Sequence, residues 1–257
     1  MIRRNSLDPI KIANWEWKIF LDEVIKSLAA FDFFEYPIEN QFLVNEKPFR
    51  YKDRNIKAIA KTWASRTNKL SKIRAACIHV DHVTSVLNLV INPSCKYDLP
   101  FFGADFVRLP TGYLLALDLQ PVLKDDLNHT KHVWDKLIPI HKHWQDMVPS
   151  GGPIPKDALQ FFSPAFFWTR LPICPKSDRV IKNTIFPAFK AYLDLYLELV
   201  SEASLVTSER SNVLSNGQKD YLRFRAKKDP ARGMLIRFFG QEWTDSYLKD
   251  CLFELVD

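Results

Sequence analysis

The hydrophobic positions of this chain change period along the sequence. They alternate with polar positions between residues 59 and 119. Five runs rich in β-branched and aromatic residues are separated by short links that contain proline, glycine or charge; the runs cover 59–63, 73–80, 86–92, 104–109 and 113–119. Parallel neighbours would need crossover connections of about a dozen residues, which the links over this stretch are too short to supply. The pattern therefore predicts five or six consecutive antiparallel strands.

Residues with helical spacing lie on both sides of these runs. An amphipathic helix is predicted over 15–28, and a long one over 128–148, where Pro139 predicts a kink. Further helices are predicted over 178–202, 207–228, 230–239 and 242–255. Strands followed and preceded by helices indicate an α/β fold, a three-layer α/β/α sandwich with a central antiparallel sheet.

Three segments lack a clear period. Residues 1–14 are polar and predicted to be irregular, and 35–57 carry two prolines and many charges, which predicts a solvated connection. Residues 150–172 are rich in proline and aromatic rings, which predicts a structured loop with one short strand ending at Arg170.

Composition limits the class of protein. A chain of 257 residues with 47% hydrophobic content is expected to form one domain over 1–257. The N-terminus has no continuous apolar segment and no apolar run approaches ~20 residues, so a cytoplasmic protein without a membrane span is expected. The four cysteines lie far apart without CxxC spacing, which favours reduced thiols over disulfides or an iron–sulfur site.

The charge balance favours an acidic partner. There are 36 Lys and Arg against 30 Asp and Glu, a net charge of +6, while no nucleic-acid-binding signature accompanies the basic excess. An acidic protein is therefore at least as good a candidate partner as nucleic acid. Aromatic residues make up 13% of the chain, enough for a ring-lined core or for a cleft that stacks on a flat ligand.

Two familiar kinds of cofactor site are not indicated. The chain has neither GxGxxG nor GxxxxGK[ST], so a Rossmann-type nicotinamide or flavin enzyme is not expected. Four histidines follow one another in the predicted long helix, but they span too many turns to close around one metal ion; they are His129, His132, His141 and His143. They are predicted to be surface or supporting histidines, and no metal is expected.

A carboxylate inside a strand is the first candidate for chemistry. Asp105 lies between Ala104 and Phe106, and burying a carboxylate among apolar residues is costly unless it is paired or protonated for a purpose. Asn88 lies 17 residues earlier, on the preceding strand, where it can face the same side of the sheet.

A second pair of charged residues lies on one helix face. Arg225 and Asp229 are four residues apart, which allows either a surface ion pair of little energetic value or a pair that faces a ligand cleft. Spacing alone leaves both readings open.

Five segments in fixed order resemble one known family. They are YDLPFFGAD (97–105), LALDLQP (115–121), FFSPAFFWTR (161–170), KDPARG (228–233) and FFGQEW (238–243). Together they resemble the ferredoxin-dependent bilin reductases, and the likeness extends over nearly the whole chain. It implies an open-chain tetrapyrrole held between the sheet and the C-terminal helices.

The resemblance also implies a reaction. It implies two-electron reduction of 15,16-dihydrobiliverdin at the A-ring diene to phycoerythrobilin, through a substrate radical, with reduced ferredoxin as the external electron donor. No protein-bound cofactor is implied, because the bilin itself accepts the electrons. A monomer is expected, with ferredoxin docked on basic residues and with an upstream dihydrobiliverdin-forming reductase as a further candidate partner.

The family motifs assign roles to residues of this chain. Asp105 and Asp229 match the two catalytic aspartates, and Arg225 matches an arginine near the bilin. Arg170 and Ser163 are further candidate substrate-binding residues, Arg170 as a partner for a bilin propionate.

Two positions depart from the family member that makes phycocyanobilin. Asn88 stands where that protein has histidine, which fits a different site of reduction and keeps Asn88 a candidate substrate-binding residue. Ala76 stands where it has glutamate, so proton delivery to the D-ring vinyl group is not expected. The competing hypotheses are another bilin reductase acting on biliverdin and a non-catalytic bilin-binding module.

Overall fold

The structure is a computed structural model that describes residues 11–255. The predicted irregular segment 1–14 lies mostly outside the described residues. The centre of the fold is one eight-stranded antiparallel sheet. Its strands are β1 (Phe33–Glu35), β2 (Val44–Tyr51), β3 (Arg54–Thr67), β4 (Leu70–Val80), β5 (Thr84–Pro93), β6 (Phe101–Leu109), β7 (Gly112–Gln120) and β8 (Phe167–Leu171).

The strand order follows the chain through the predicted meander. The order is β1-β3-β4-β5-β6-β7-β8, and β2 also pairs with β3, along the part of its outer edge that β1 leaves free. The five predicted runs correspond to β3 through β7, and the short strand predicted near Arg170 is β8, which completes the far edge beside β7. Consecutive antiparallel pairing is confirmed.

The prediction of a solvated connection over 35–57 is wrong. This segment contains the short helix α2 (Asn40–Leu43), all of β2 and the beginning of β3. The charges misled because β2 is an outer strand whose side chains are largely exposed on both faces, so no apolar alternation marks it. Pro48 is tolerated there because an outer strand needs ladder hydrogen bonds on one side only.

Helices cover both faces of the sheet. Besides α2, the α-helices are α1 (Lys18–Leu28), α3 (Leu127–Gln145), α4 (Pro175–Val180), α5 (Phe186–Glu202), α6 (Ser208–Lys228), α7 (Arg232–Phe239) and α8 (Gln241–Ser246). A 3-10 turn covers Leu159–Phe161, and π-helical turns cover Ile181–Ile185 and Tyr247–Leu252. No helix among residues 11–255 is long and apolar enough to cross a membrane.

Two apolar cores follow from the alternation of side chains along the strands. One core joins α1, α3 and α5 to one face, through strand residues such as Leu87, Leu89 and Phe106. The other joins α6, α7 and the C-terminal π turn to the opposite face, through residues such as Ala76 and Val90. The predicted α/β/α sandwich with an antiparallel central sheet is confirmed.

The helix predicted over 178–202 contains a π turn. Pro187 follows this turn directly, at the beginning of α5. Proline has no N–H and its ring crowds the carbonyl four residues earlier, so a widened turn accommodates it inside a continuous helical segment. By contrast, α3 continues through Pro139 in regular helical form.

Candidate functional site

The predicted site residues of the sheet lie in one row on the face covered by α6 and α7. The register places Asn88 opposite Asp105, Asp105 opposite Ala116, and Ala116 opposite Trp168. On the other side of Asn88 the row continues with Ala76. Two alanines flank the Asn88–Asp105 pair in this row: Ala76 is buried in the core on this face, and Ala116 is partly exposed.

Asp105 is paired but not buried. Its carboxylate accepts a hydrogen bond from the Asn88 side-chain amide, and 39% of the side chain is exposed. The apolar neighbours Ala104 and Phe106 point into the opposite core, as alternation along a strand requires. The expectation that Asp105 is embedded among apolar residues is therefore wrong, although the residue does face the site side of the sheet.

The second carboxylate comes from the end of a helix. Asp229 is the residue that ends α6, and Pro230 after it prevents the helix from continuing. Its carboxylate accepts a hydrogen bond of 2.8 Å from the Ala231 backbone N–H, which closes a turn. The side chain is only 6% exposed. Burial raises the pKa of Asp229, Arg225 opposes the rise, and the neighbouring Asp105 adds to it.

One guanidinium connects the two carboxylates. Arg225 Nη2 lies 3.6 Å from Asp105 Oδ2 and 3.8 Å from Asp229 Oδ2. The reading as a surface ion pair is wrong, because the pair faces the sheet and the side chain of Arg225 is only 14% exposed. The reading as a pair that faces a ligand cleft stays a prediction. The tertiary structure brings Asp105, Asn88, Arg225 and Asp229 together.

Aromatic and polar contacts hold Arg225 in place. Its guanidinium lies 5.3 Å from the centre of the Phe253 ring, and Nη1 donates to the Tyr221 hydroxyl at 3.4 Å. The Tyr221 hydroxyl donates in turn to the side-chain oxygen of Gln120 on β7. These contacts fix a buried charge with little freedom, which is the condition for a preorganised binding group.

Partly exposed rings flank the row of sheet residues at β8. Phe162 stacks on Phe166 with ring centres 4.0 Å apart, and Phe166 lies nearly parallel to Trp168 at 6.2 Å. Arg170 is exposed at the edge of this group, with its guanidinium 5.3 Å from the Trp168 ring centre. The arrangement offers flat apolar surface next to an exposed cation, which suits a flat ligand with acidic groups.

Ser163 contacts a carboxylate that the sequence analysis did not select. Its N–H and Oγ donate to Asp118 at 2.8 and 2.5 Å, and Ser163 is buried. Its role in substrate binding stays a prediction. Asp118 is fully buried, and burial raises its pKa to about 7 against the hydrogen bonds from Ser163. The sequence carried the signal, since Asp118 lies between leucines within LALDLQP as Asp105 lies between Ala104 and Phe106.

Asp118 makes the stability of the fold depend on pH. The carboxyl loses its proton near the usual 3.8 in the unfolded chain and at about 7 in the folded one, so the free energy of unfolding falls as pH rises between these values. We expect Asp118→Asn to remove this dependence, worth on the order of 4 kcal/mol over the whole range and about 2–3 kcal/mol between pH 5 and pH 8. Urea unfolding at about pH 5 and pH 8 measures it, with exposed Asp125→Asn as control. An unchanged difference between the two pH values in Asp118→Asn would contradict the expectation.

The histidines of α3 do not form a metal site. His129 is buried, so a surface position is wrong for this residue, and its contacts are those of a supporting side chain: Nδ1 lies 2.5 Å from Asp98 Oδ1 and Nε2 accepts the Val122 N–H. His132 and His143 are exposed. Within residues 11–255 no three His, Cys, Asp or Glu side chains are grouped as metal ligands.

A separate surface groove lies away from these residues. Its volume is about 700 Å³, and it lies beside β2 and β3, with Lys47, Lys57 and Asp81 among its lining. None of the predicted site residues lines it. The groove is shallow and open and carries charges of both signs, whereas the carboxylates, guanidinium and rings described above converge on one place.

The sequence is similar to one protein family and to named members of known function. The chain matches the family model described as ferredoxin-dependent bilin reductase over residues 21–254. It is 56% identical over 253 residues to phycoerythrobilin:ferredoxin oxidoreductase of Prochlorococcus marinus (strain MIT 9211), covering 98% of each chain. It is 52% identical to the protein of the same name from Synechococcus sp. (strain WH8020), again covering 98% of each.

A solved structure has a similar fold. Phytochromobilin synthase from tomato, determined in complex with biliverdin, superimposes with a TM-score of 0.83 at 23% sequence identity. The match covers 94% of this chain and 85% of that chain. At this identity the likeness concerns the fold, and it agrees with a central sheet covered by helices.

Proposed function

The chain belongs to the ferredoxin-dependent bilin reductase family, and from this membership we propose that it reduces 15,16-dihydrobiliverdin at the A-ring diene to phycoerythrobilin. It is a ferredoxin-dependent oxidoreductase, like the two relatives to which it is 56% and 52% identical. The names of those relatives support phycoerythrobilin as the product.

One observation carries the proposal. Two carboxylates, Asp105 from the sheet and Asp229 from the end of α6, approach the same guanidinium, that of Arg225. A partly exposed acid and a buried acid in adjacent layers can serve two positions of a flat substrate held between those layers. The number of acids matches the number of protons that the reaction consumes.

The reaction requires two electrons and two protons per bilin. Ferredoxin supplies the electrons one at a time, so two reduced ferredoxins are oxidised and the substrate passes through a radical. Each added electron makes the conjugated system more basic, and a proton must follow. Atoms and charge balance when the A-ring diene gains two hydrogen atoms and both aspartates are reprotonated from water.

Asp229 is suited to serve as a proton donor. Its burial favours the protonated form and raises its pKa, while Arg225 keeps the carboxyl from becoming too weak an acid. Asp105 is held differently, because the Asn88 amide fixes one carboxylate oxygen and leaves the other toward Arg225. The two acids therefore differ in environment, which allows two protons to be delivered in separate steps.

Substrate-binding roles are proposed for four more residues. Arg225 and Arg170 are the cations for the acidic side chains of the bilin, the first buried and the second exposed at the edge beside Trp168. Asn88 positions Asp105 and can also bond a ring nitrogen or carbonyl oxygen. Ser163 is proposed as a substrate-binding residue because it donates a hydrogen bond to Asp118. Asp118 lies two residues from Ala116, on the same face of the sheet as the site.

An anaerobic assay with two bilins tests the proposed function. The protein is incubated with reduced ferredoxin and either 15,16-dihydrobiliverdin or biliverdin, and products are identified by chromatography. We expect phycoerythrobilin from dihydrobiliverdin and no product from biliverdin. Conversion of biliverdin would identify another bilin reductase. A bound bilin whose spectrum stays constant after ferredoxin is added would indicate a binding module.

Turnover with ferredoxin is expected to depend on salt. The net charge is +6, and exposed Lys227 and Lys228 lie in the last turn of α6, close to Asp229. Electrostatic steering of an acidic donor falls with ionic strength, so we expect the rate at limiting ferredoxin to fall about tenfold between ~0.02 M and ~0.5 M salt.

Two charge-reversal variants test where on the surface ferredoxin docks. Lys227→Glu should raise the KM for ferredoxin, whereas Lys26→Glu on α1, across the sheet, should leave it unchanged; Lys26 is 80% exposed. Equal rates at low and high salt would argue against docking by charge. Equal effects of the two variants would place the docking surface elsewhere.

A further inference from the structure

A second arginine lies directly beneath the proposed site. Arg74 is on β4, two residues from Ala76 and therefore on the same face of the sheet, and it is 1% exposed. Its Nη1 donates to the backbone oxygen of Asn88 at 3.4 Å. Its Nη2 has no hydrogen-bond partner among residues 11–255. A buried guanidinium with one weak hydrogen bond is costly, so it calls for a reason other than packing.

An aromatic ring connects Arg74 to Arg225. The Phe253 ring centre lies 5.9 Å from the Arg74 guanidinium and 5.3 Å from that of Arg225. Two cations on one ring would repel each other unless negative charge lay nearby. Asp105 and Asp229 supply that charge, since their carboxylates lie 3.6 and 3.8 Å from the Arg225 guanidinium, which shares the Phe253 ring with Arg74.

The groups that face Arg74 come from every element around it. They are Lys72 on its own strand, Asp105 on β6, Tyr221, Arg225 and Asp229 at the end of α6, and Tyr247 and Cys251 on the C-terminal π turn. With both carboxylates ionised, the two aspartates balance the two arginines. Removing Arg74 leaves one carboxylate without a compensating buried charge.

We propose that Arg74 is a positioning residue for this reaction, one that supports the strand at Asn88 and balances the charge of Asp105 and Asp229. It thereby sets the pH range in which these acids can give up protons. The inference rests on the proposed function for its effect on turnover, but not for its effect on the site itself. The sequence signal was a charged residue in the middle of a strand pattern, KIRAACIHV.

A neighbouring cation provides a matched control. Lys72 lies two residues from Arg74 on the same face of β4 and is 2% exposed. Its ammonium group is already satisfied, donating to Glu254 at 2.6 Å and to the backbone oxygen of Cys251 at 2.9 Å. It therefore holds the C-terminal segment, and its replacement removes an equally buried charge whose hydrogen bonds among residues 11–255 go to neither aspartate.

The test measures the pH dependence of turnover in Arg74→Met, Arg74→Lys, Lys72→Met and the unchanged protein, with whichever bilin the unchanged protein reduces. Arg74 lowers the pKa of Asp229, so its removal should raise that pKa and move the alkaline loss of activity to higher pH. We also expect kcat to fall about tenfold to hundredfold in Arg74→Met, the effect of losing one charge-assisted contact. In Arg74→Lys and in Lys72→Met, the loss of activity at alkaline pH (the alkaline limb of the pH profile) should occur at the same pH as in the unchanged protein.

A titration without substrate separates this inference from the proposed function. Carbon-13 NMR of the Asp229 carboxyl should show a higher pKa in Arg74→Met than in the unchanged protein and in Lys72→Met, whether or not either bilin is reduced. Should Arg74→Met fail to fold, Arg74→Gln carries the same expectations. The inference is overturned if the Asp229 titration and the alkaline limb in the folded Arg74 variant coincide with those of the unchanged protein, or if Lys72→Met moves them equally.

Discussion

Asp105→Asn is expected to bind the bilin and to form almost no product. The amide has the same shape as the carboxyl, and its oxygen can still accept the hydrogen bond from Asn88, so the row of sheet residues should remain in place. What is lost is an acidic proton and a negative charge 3.6 Å from Arg225. General acids contribute about 10²–10⁴ in rate, and we expect a loss of that size.

Single-turnover absorbance under anaerobic conditions measures this loss, with chromatography of the product. Asp81→Asn is the control, because Asp81 is a carboxylate at the end of β4 that is 61% exposed and distant from the row. Binding is followed separately through the spectrum of the bound bilin. Full turnover in Asp105→Asn would remove Asp105 from the mechanism.

Asp229→Asn should block the reaction to a similar extent for a different reason. Asp229 is buried, and burial raises its pKa and so favours a protonated carboxyl that can donate, whereas an amide cannot release a proton. We expect product formation to fall by about 10²–10⁴, with the first electron still able to reach the bilin. A radical spectrum that persists without conversion to product would then be observed.

The fold should tolerate this change. An asparagine oxygen can accept the Ala231 N–H in the same turn, and a neutral side chain removes the cost of a buried ionisable group. Thermal unfolding checks this point, and Asp220→Asn on the same helix, at a residue 71% exposed, is the control for activity. Normal product yield in Asp229→Asn, with binding unchanged, would leave Asp105 as the sole protein acid in the proposal.

The site was partly visible in the sequence. Strand periodicity and the 17-residue separation indicated that Asn88 can face the same side of the sheet as Asp105, and the register shows that the two are direct neighbours. The four-residue spacing placed Arg225 and Asp229 on one helix face, but it could not show that this face meets the sheet. Asp118 and Arg74 were missed because an apolar strand pattern does not show which of its charged residues another element covers; both are buried.

The carboxylate expected to be buried, Asp105, is partly exposed, and the buried carboxylate of the site is Asp229. A strand sequence shows that neighbours alternate between faces, yet it does not show how closely each face is covered. Asp105 lies where the covering layer leaves it 39% exposed, whereas Asp229, which follows a charged helix end, is 6% exposed. Exposure depends on which element packs opposite, and that element can come from anywhere in the chain.

By itself the sequence determined the antiparallel order of β3 to β7, the helices around them and the family, since local periodicity, short links and motifs are properties of neighbouring residues. Only the tertiary structure decided that α6 ends above the Asn88–Asp105 pair, that β2 joins the sheet, and that Arg74 and Arg225 share the Phe253 ring. Apart from the β2–β3 hairpin, these contacts join residues far apart in sequence. Their stability comes from the burial and charge balance of the whole assembly, which no local pattern encodes.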